Sequence, residues 1–279
     1  MKLNLTFDLD LTDYQSGVFV DEPREFMEPI LSALHDCGIR HTTWFVRLDS
    51  EAEHLYGGRK TLVREASDIV SLLISQGHEV GWHHHATGAA FTDEVALKRE
   101  ILDFGDVAMS LGLSCVRSGY GQMTNEVMRA LGDFGFQTDS SCISRPNYPW
   151  EHVPLRDWTG APNRPYRPCG NDFTRECVSE STPMVEVPIT TVRLSWPTDT
   201  IPTMRRYLNP AYELSRFEAG IQSFTKSDDH GEVLVTVTHP YETKNTGMST
   251  FGGNLDSFSA NVRLLKETGF DHVPLSELR

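Results

Sequence analysis

The sequence lacks any apolar run near the ~18 to 20 residues that a membrane-spanning helix requires. It also lacks a linker, an internal repeat and a low-complexity tract, so its 279 residues read as one domain, 1–279. Positive charge is in deficit, with 25 Lys and Arg against 39 Asp and Glu and a net charge of -14. Such a surface repels nucleic acid and anionic membranes, which leaves a small molecule or a neutral or cationic polymer as the expected partner. Cysteine is scarce: Cys37, Cys115, Cys142, Cys169 and Cys177 are odd in number and form no CxxC pair. They are expected to be free thiols, which excludes a cysteine zinc site. No basic-then-apolar leader precedes the first strand, so the expected location is cytoplasmic.

What the sequence does have is strand alternating with helix. Leu3 to Asp10 alternates apolar and polar residues with period two, and Arg24 to Asp36 follows with an apolar stripe at helical spacing. Strands are expected over His41 to Leu48, His78 to His84, Ser114 to Arg117, Phe136 to Asp139, Met184 to Thr190, Val233 to His239 and Phe270 to Val273. Helices are expected over Leu62 to Ser75, from near Thr92 to Gly112, and over Thr124 to Asp133, Tyr212 to Phe224 and Asp256 to Thr268. Between Ser140 and Pro183 a Pro-, Gly- and Arg-rich stretch reads as a long irregular binding loop. Seven or eight strand–helix units imply a parallel sheet able to close into a (β/α) barrel, whose site would lie at the C-terminal strand ends.

Four segments carry chemistry. Asp8 and Asp10 share one face at the end of the first strand, and like charges that close call for a cation between them or a shared proton. In Gly77-His-Glu-Val-Gly-Trp-His-His-His85, an extended backbone puts His83 and His85 on one face with Glu79, while His84 points the other way. Two such imidazoles and a carboxylate from another strand suit zinc or iron, with positions left for water. His239 ends the strand Val233 to His239, where an imidazole can exchange protons near neutral pH. Arg117 leaves a short strand into Gly-Tyr-Gly, and a guanidinium beside Asp8 would keep that carboxylate ionised and oriented.

Taken in order, these segments resemble the polysaccharide deacetylase family, also called carbohydrate esterase family four, from Leu3 to about Leu278. Thr6-Phe7-Asp8-Leu9-Asp10 is similar to its opening motif with spaced acids, Gly77 to His83 to its second and Arg117 to its third. Asp157-Trp158 stands for the fourth and Val237-Thr238-His239 for the fifth. The resemblance implies a distorted barrel of deacetylase type, with Asp8 as general base, His239 as general acid, Arg117 holding Asp8 charged, and Asp157 among the catalytic residues. It implies a divalent metal on Asp10 and His83, zinc first, with Fe2+, Co2+, Ni2+ or Mn2+ as alternatives.

Two departures stand out. The second metal histidine usually lies four residues after the first, where this chain has Thr87, so strand parity assigns that role to His85, with His84 as runner-up. A proline commonly occupies the place of Gly119. The expected reaction is removal of an acetyl or formyl group from an amino sugar, glycan precursor or oligosaccharide, as in an intracellular branch of the family. Backbone N–H groups near Tyr120 or Trp158 are oxyanion candidates, and Trp150, Trp158, Tyr148 and Tyr166 form either a sugar-stacking floor or core under the long loop. A pseudoenzyme that binds metal or sugar and a hydrolase of another amide bond are the competing expectations.

Overall fold

A computed structural model describes residues 1–10, 23–144, 153–179, 181–195, 204–227, 231–244 and 253–279. In chain order they form β1 (Lys2–Leu9), α1 (Pro23–Asp36), β2 (Thr43–Arg47), α2 (Ser50–Leu55), α3 (Arg59–Ser75), β3 (Glu79–His84), α4 (Glu94–Ser110) and β4 (Cys115–Ser118). Next come α5 (Asn125–Phe134), β5 (Thr138–Asp139), β6 (Pro168–Cys169), β7 (Asp172–Glu176), β8 (Val185–Glu186), β9 (Thr191–Leu194) and β10 (Met204–Tyr207). The last elements are α6 (Leu214–Thr225), β11 (Val233–Thr238), α7 (Leu255–Glu267) and β12 (Asp271–His272).

Seven parallel strands run β11-β1-β2-β3-β4-β5-β8, and β12 pairs in parallel with the start of β1. The ends of this curled sheet meet at Thr190, just past β8: its N–H donates to Val235 O at 3.0 Å and its Oγ1 accepts from Val235 N at 2.9 Å. The result is the distorted (β/α) barrel expected from the strand count. Alternation decides what faces where. Leu3, Leu5, Phe7 and Trp44 join α1, α3, α4 and α7 in the main apolar core outside the sheet, whereas Phe45, Cys115, Val185, Val187 and Val235 fill the inside. Gly81 keeps that interior narrow, since a Cβ there would lie 2.6 Å from Cys115 Sγ and 2.7 Å from the Phe45 ring. Caps set the helix starts: Asp93 accepts from Val95 and Ala96 N–H at the head of α4, and Thr124 from Val127 N–H at α5.

Three expectations need correction. The Ser140 to Pro183 stretch is not wholly irregular, because its described part contains the antiparallel pair β6–β7. That hairpin brings two cysteines to a Cα–Cα distance of 4.9 Å, and Cys169 and Cys177 form a disulfide; only Cys37, Cys115 and Cys142 are free. Their separation of eight residues gave no sign of this, since the turn between them does the joining. The short helix α2 and the hairpin β9–β10 were also not expected. Among the described residues, no helix is long and apolar enough to cross a membrane.

Candidate metal centre and active site

Parallel strands bring their C-terminal ends to one rim, and Asp10, His83, His85, Arg117 and His239 all come from such ends. Asp10 Oδ1 lies 3.2 Å from His83 Nε2 and 3.1 Å from His85 Nε2, and the two Nε2 atoms are 2.9 Å apart. Metal bonds of about 2.0–2.1 Å would set tetrahedral ligand atoms about 3.3 Å from one another, so the three atoms are spaced to share one ion. Among the described residues, this is the one group of His, Cys, Asp or Glu so placed.

The chemistry of the donors also fits a cation. His83 Nδ1 faces Arg117 O at 2.8 Å, which makes it the proton donor and turns the lone pair of Nε2 toward Asp10. Burial, outweighing the pull of Asp10, lowers the pKa of His85 and favours the neutral imidazole that ligates metals. Burial raises Asp10, yet the two imidazoles hold it well below the usual carboxylate range. Its Oδ1 is nonetheless buried with no well-angled hydrogen bond, an orphaned anionic atom aimed at two nitrogens.

One strand step deeper, Asp8 is 5% exposed and accepts from Arg117 Nη1 at 2.8 Å. Each nitrogen of the guanidinium donates at least one hydrogen bond. Nη1 also donates to Thr6 Oγ1 at 2.6 Å, Nε to Ser140 O at 2.9 Å and Nη2 to Ser140 Oγ at 2.8 Å. Its plane rests 4.3 Å above the Phe45 ring, so the barrel interior props the ion pair from below.

His239 Nε2 is 3.6 Å from Asp10 Oδ2, and its Nδ1 is 3.4 Å from Glu242 Oε2. Burial opposes charge on this imidazole, but Glu242, then Asp10 and Asp8, outweigh it and lift its pKa to about 10. Glu242 in turn accepts from the His239 N–H at 2.8 Å and from Asn209 Nδ2 at 2.6 Å. The sequence reading overlooked Glu242, although a glutamate three residues after His239 has the spacing of a capping box, which it forms.

Other predicted residues sit elsewhere. Asp157 is exposed and accepts from Thr159 N–H at 2.9 Å; no contact joins it to the acids or imidazoles above, and Glu242 is the carboxylate that faces His239. Trp158 is 2% exposed, packs on Phe173 and donates to Gly121 O at 2.8 Å, so it buttresses the Gly-Tyr-Gly turn from within the core. Tyr166 is equally buried, with its hydroxyl on Phe173 O at 2.7 Å. Neither ring is a free stacking surface. Tyr120 is half-buried, its ring 5.1 Å from His85 and 5.8 Å from Phe91, at a backbone φ of 55°. Trp150 and Tyr148 lie outside the described residues. His84 turns away from Asp10 toward Trp82 and, at 3.9 Å, Glu100.

Asp49 was also overlooked. It is buried, caps α2 through Ala52 N–H at 2.8 Å, pairs with Arg47 at 2.7 Å and accepts from the His85 N–H at 3.2 Å. One carboxylate therefore ties the turn after β3 to α2 and fixes the His85 backbone.

A Mycobacterium smegmatis protein assigned to the polysaccharide deacetylases shares this architecture at a TM-score of 0.55 and 14% identity, over 99% of this chain and 88% of its own. The chain has the deacetylase-type barrel fold. A 4-alpha-glucanotransferase from Thermococcus litoralis matches at a TM-score of 0.50 and 14% identity, covering all of this chain and 40% of that one. A Bdellovibrio bacteriovorus peptidoglycan deacetylase matches at 0.43 and 12% identity, over 98% of this chain and 51% of its own. No family model matches the sequence. No curated protein matches it either. On this barrel, the acids and imidazoles gather at the rim formed by the C-terminal strand ends.

Proposed function

We propose that the protein is a metal-dependent hydrolase that removes an acetyl or formyl group from the nitrogen of an amino sugar or glycan precursor. The observation that carries this reading is the convergence of Asp10, His83 and His85 on one point, with Arg117-bound Asp8 and Glu242-bound His239 beside them. The fold shared with a protein assigned to the polysaccharide deacetylases supports the substrate class.

Asp10, His83 and His85 would hold a divalent ion, zinc by the chemistry of the donors, which supplies Lewis-acid polarisation of the amide carbonyl and acidifies water. Asp8 accepts the proton of the attacking water. Arg117 supplies the counter-charge to Asp8 and fixes its Oδ1 through one Nη1 hydrogen bond. His239, held protonated by Glu242, donates a proton to the departing amine. Tyr120, half-exposed beside His85, borders the space that the acyl group would enter.

The test is release of acetate or formate from N-acetyl and N-formyl amino sugars by zinc-loaded protein. Asp8→Asn and His239→Ala should each lower turnover by roughly 10²- to 10⁴-fold in protein that circular dichroism shows to be folded at the assay temperature. His83→Ala should lose the bound equivalent of metal. Absence of acyl release from the whole panel by folded, zinc-loaded protein would sink the proposal.

A further inference from the structure

We infer that Gly119 is a positioning residue for the metal centre: its missing side chain is the space in which the His85 ring sits. The inference rests on the Asp10–His83–His85 reading above. A Cβ on Gly119 would lie 2.2 Å from His85 Cδ2, 2.5 Å from Nε2 and 2.6 Å from Cγ, distances no carbon can hold.

The backbone does not require glycine there. Gly119 opens a 3₁₀ turn outside the left-handed region, unlike Gly121 at φ +69°, so alanine could adopt its conformation without strain. The demand for glycine thus comes from one contact. Register explains it: β3 and β4 set His83 beside Arg117 and His84 beside Ser118, so the next step sets His85 beside Gly119.

The ring has nowhere else to go. The His85 N–H is held by Asp49 Oδ2 at 3.2 Å, Tyr120 covers one side at 5.1 Å, and Nε2 faces Asp10 at 3.1 Å and His83 at 2.9 Å. A methyl group at 119 must push the imidazole off the point shared with Asp10. Residue 119 therefore decides whether His85 can serve as the third donor.

Zinc affinity, measured by competition with a chromophoric chelator, reads this directly. Gly119→Ala should weaken zinc binding at least about 10-fold, and His85→Ala should do likewise. Adding Gly119→Ala to His85→Ala should change nothing further, because the ring that was crowded is gone. Unchanged affinity in Gly119→Ala, or losses that simply add, would overturn the inference. If His83→Ala binds zinc as wild type does, the three-residue centre itself has failed. The crowding is then judged from the Tm of metal-free proteins, which Gly119→Ala should lower in the wild-type background and leave alone in His85→Ala. Should Gly119→Ala fail to fold, recovery of the fold in the double variant supports the clash, and failure of both variants refutes it.

Discussion

Arg117→Met removes the cation that faces Asp8 while keeping much of the side-chain volume. Arg117 is 1% exposed and donates four hydrogen bonds, to Asp8 Oδ1, Thr6 Oγ1, Ser140 O and Ser140 Oγ, all between 2.6 and 2.9 Å. Methionine fills the space over Phe45 but leaves a carboxylate that is 5% exposed without a counter-ion. Breaking a buried pair from one side typically costs about 3–5 kcal/mol, because the remaining charge is stranded. At roughly 2–4 °C per kcal/mol for a chain of this class, Tm should fall by roughly 6–20 °C. Urea unfolding followed by fluorescence of the buried Trp44, Trp82 and Trp158 measures the loss. The double variant Asp8→Asn/Arg117→Met should recover part of it, since no charge is then left unpaired. Arg117→Lys keeps the charge but reaches only part of the fork, and should fall between the two. An Arg117→Met protein within about 0.5 kcal/mol of wild type, the scatter of ordinary surface substitutions, would refute the claim that this ion pair anchors the site.

Glu242→Gln removes the strongest influence raising the pKa of His239, which should fall from about 10. A histidine with a raised pKa is protonated below it, so the alkaline limb of kcat/KM against pH should move to lower pH; an unmoved limb removes Glu242 from that role. His78 behaves oppositely, because burial and then nearby His41 lower its pKa to about 4 while its ring bonds Thr42 Oγ1 at 2.8 Å. The unfolded chain takes up its proton near the ordinary value of 6.5 and the native protein only near 4, so its contribution is present above pH 6.5 and lost as pH falls toward 4. The slope is at most about 1.4 kcal/mol per pH unit, and His78→Gln should flatten the acid limb of denaturation by one proton. Equal slopes in urea titrations of both proteins would contradict this.

The parts of the molecule that obey one short-range rule were legible in the chain. Alternation separated Asp8, Asp10, His83 and His85 from Leu3, Phe7 and Trp82 before any coordinates, because a period of two leaves each residue only two directions. The same parity separated His85 from His84. The cysteine bond and the environment of Trp158 and Tyr166 were not legible, since both depend on how a Pro-rich segment folds back on α5 and β8. There a chain without periodicity carries no directional signal. The exposed position of Asp157 was not legible for a related reason: a dipeptide match names residues without saying which way a turn points them. Glu242 and Asp49 were within reach, as both stand at cap positions that local sequence marks, but each was hidden by a more prominent histidine or arginine nearby.

In the proposed mechanism, the different depths of Asp8 in β1 and Asp10 just past its end let one strand supply both a proton acceptor and a metal donor. Asp8, with Phe45 beside it in the register of β1 and β2, meets a guanidinium whose every bond is made by protein, so its charge is balanced without an ion. Asp10, one pleat farther out, has Arg47 in its field, but that cation is spent on Asp49 at 2.7 Å and on Glu51. Glu242 likewise has His239. Asp10 faces the imidazole nitrogens of His83 and His85 with no arginine or lysine in contact, and its buried Oδ1 accepts no hydrogen bond. A low-dielectric rim tolerates such an anion best with a cation beside it, which supports the proposed ion position between Asp10, His83 and His85.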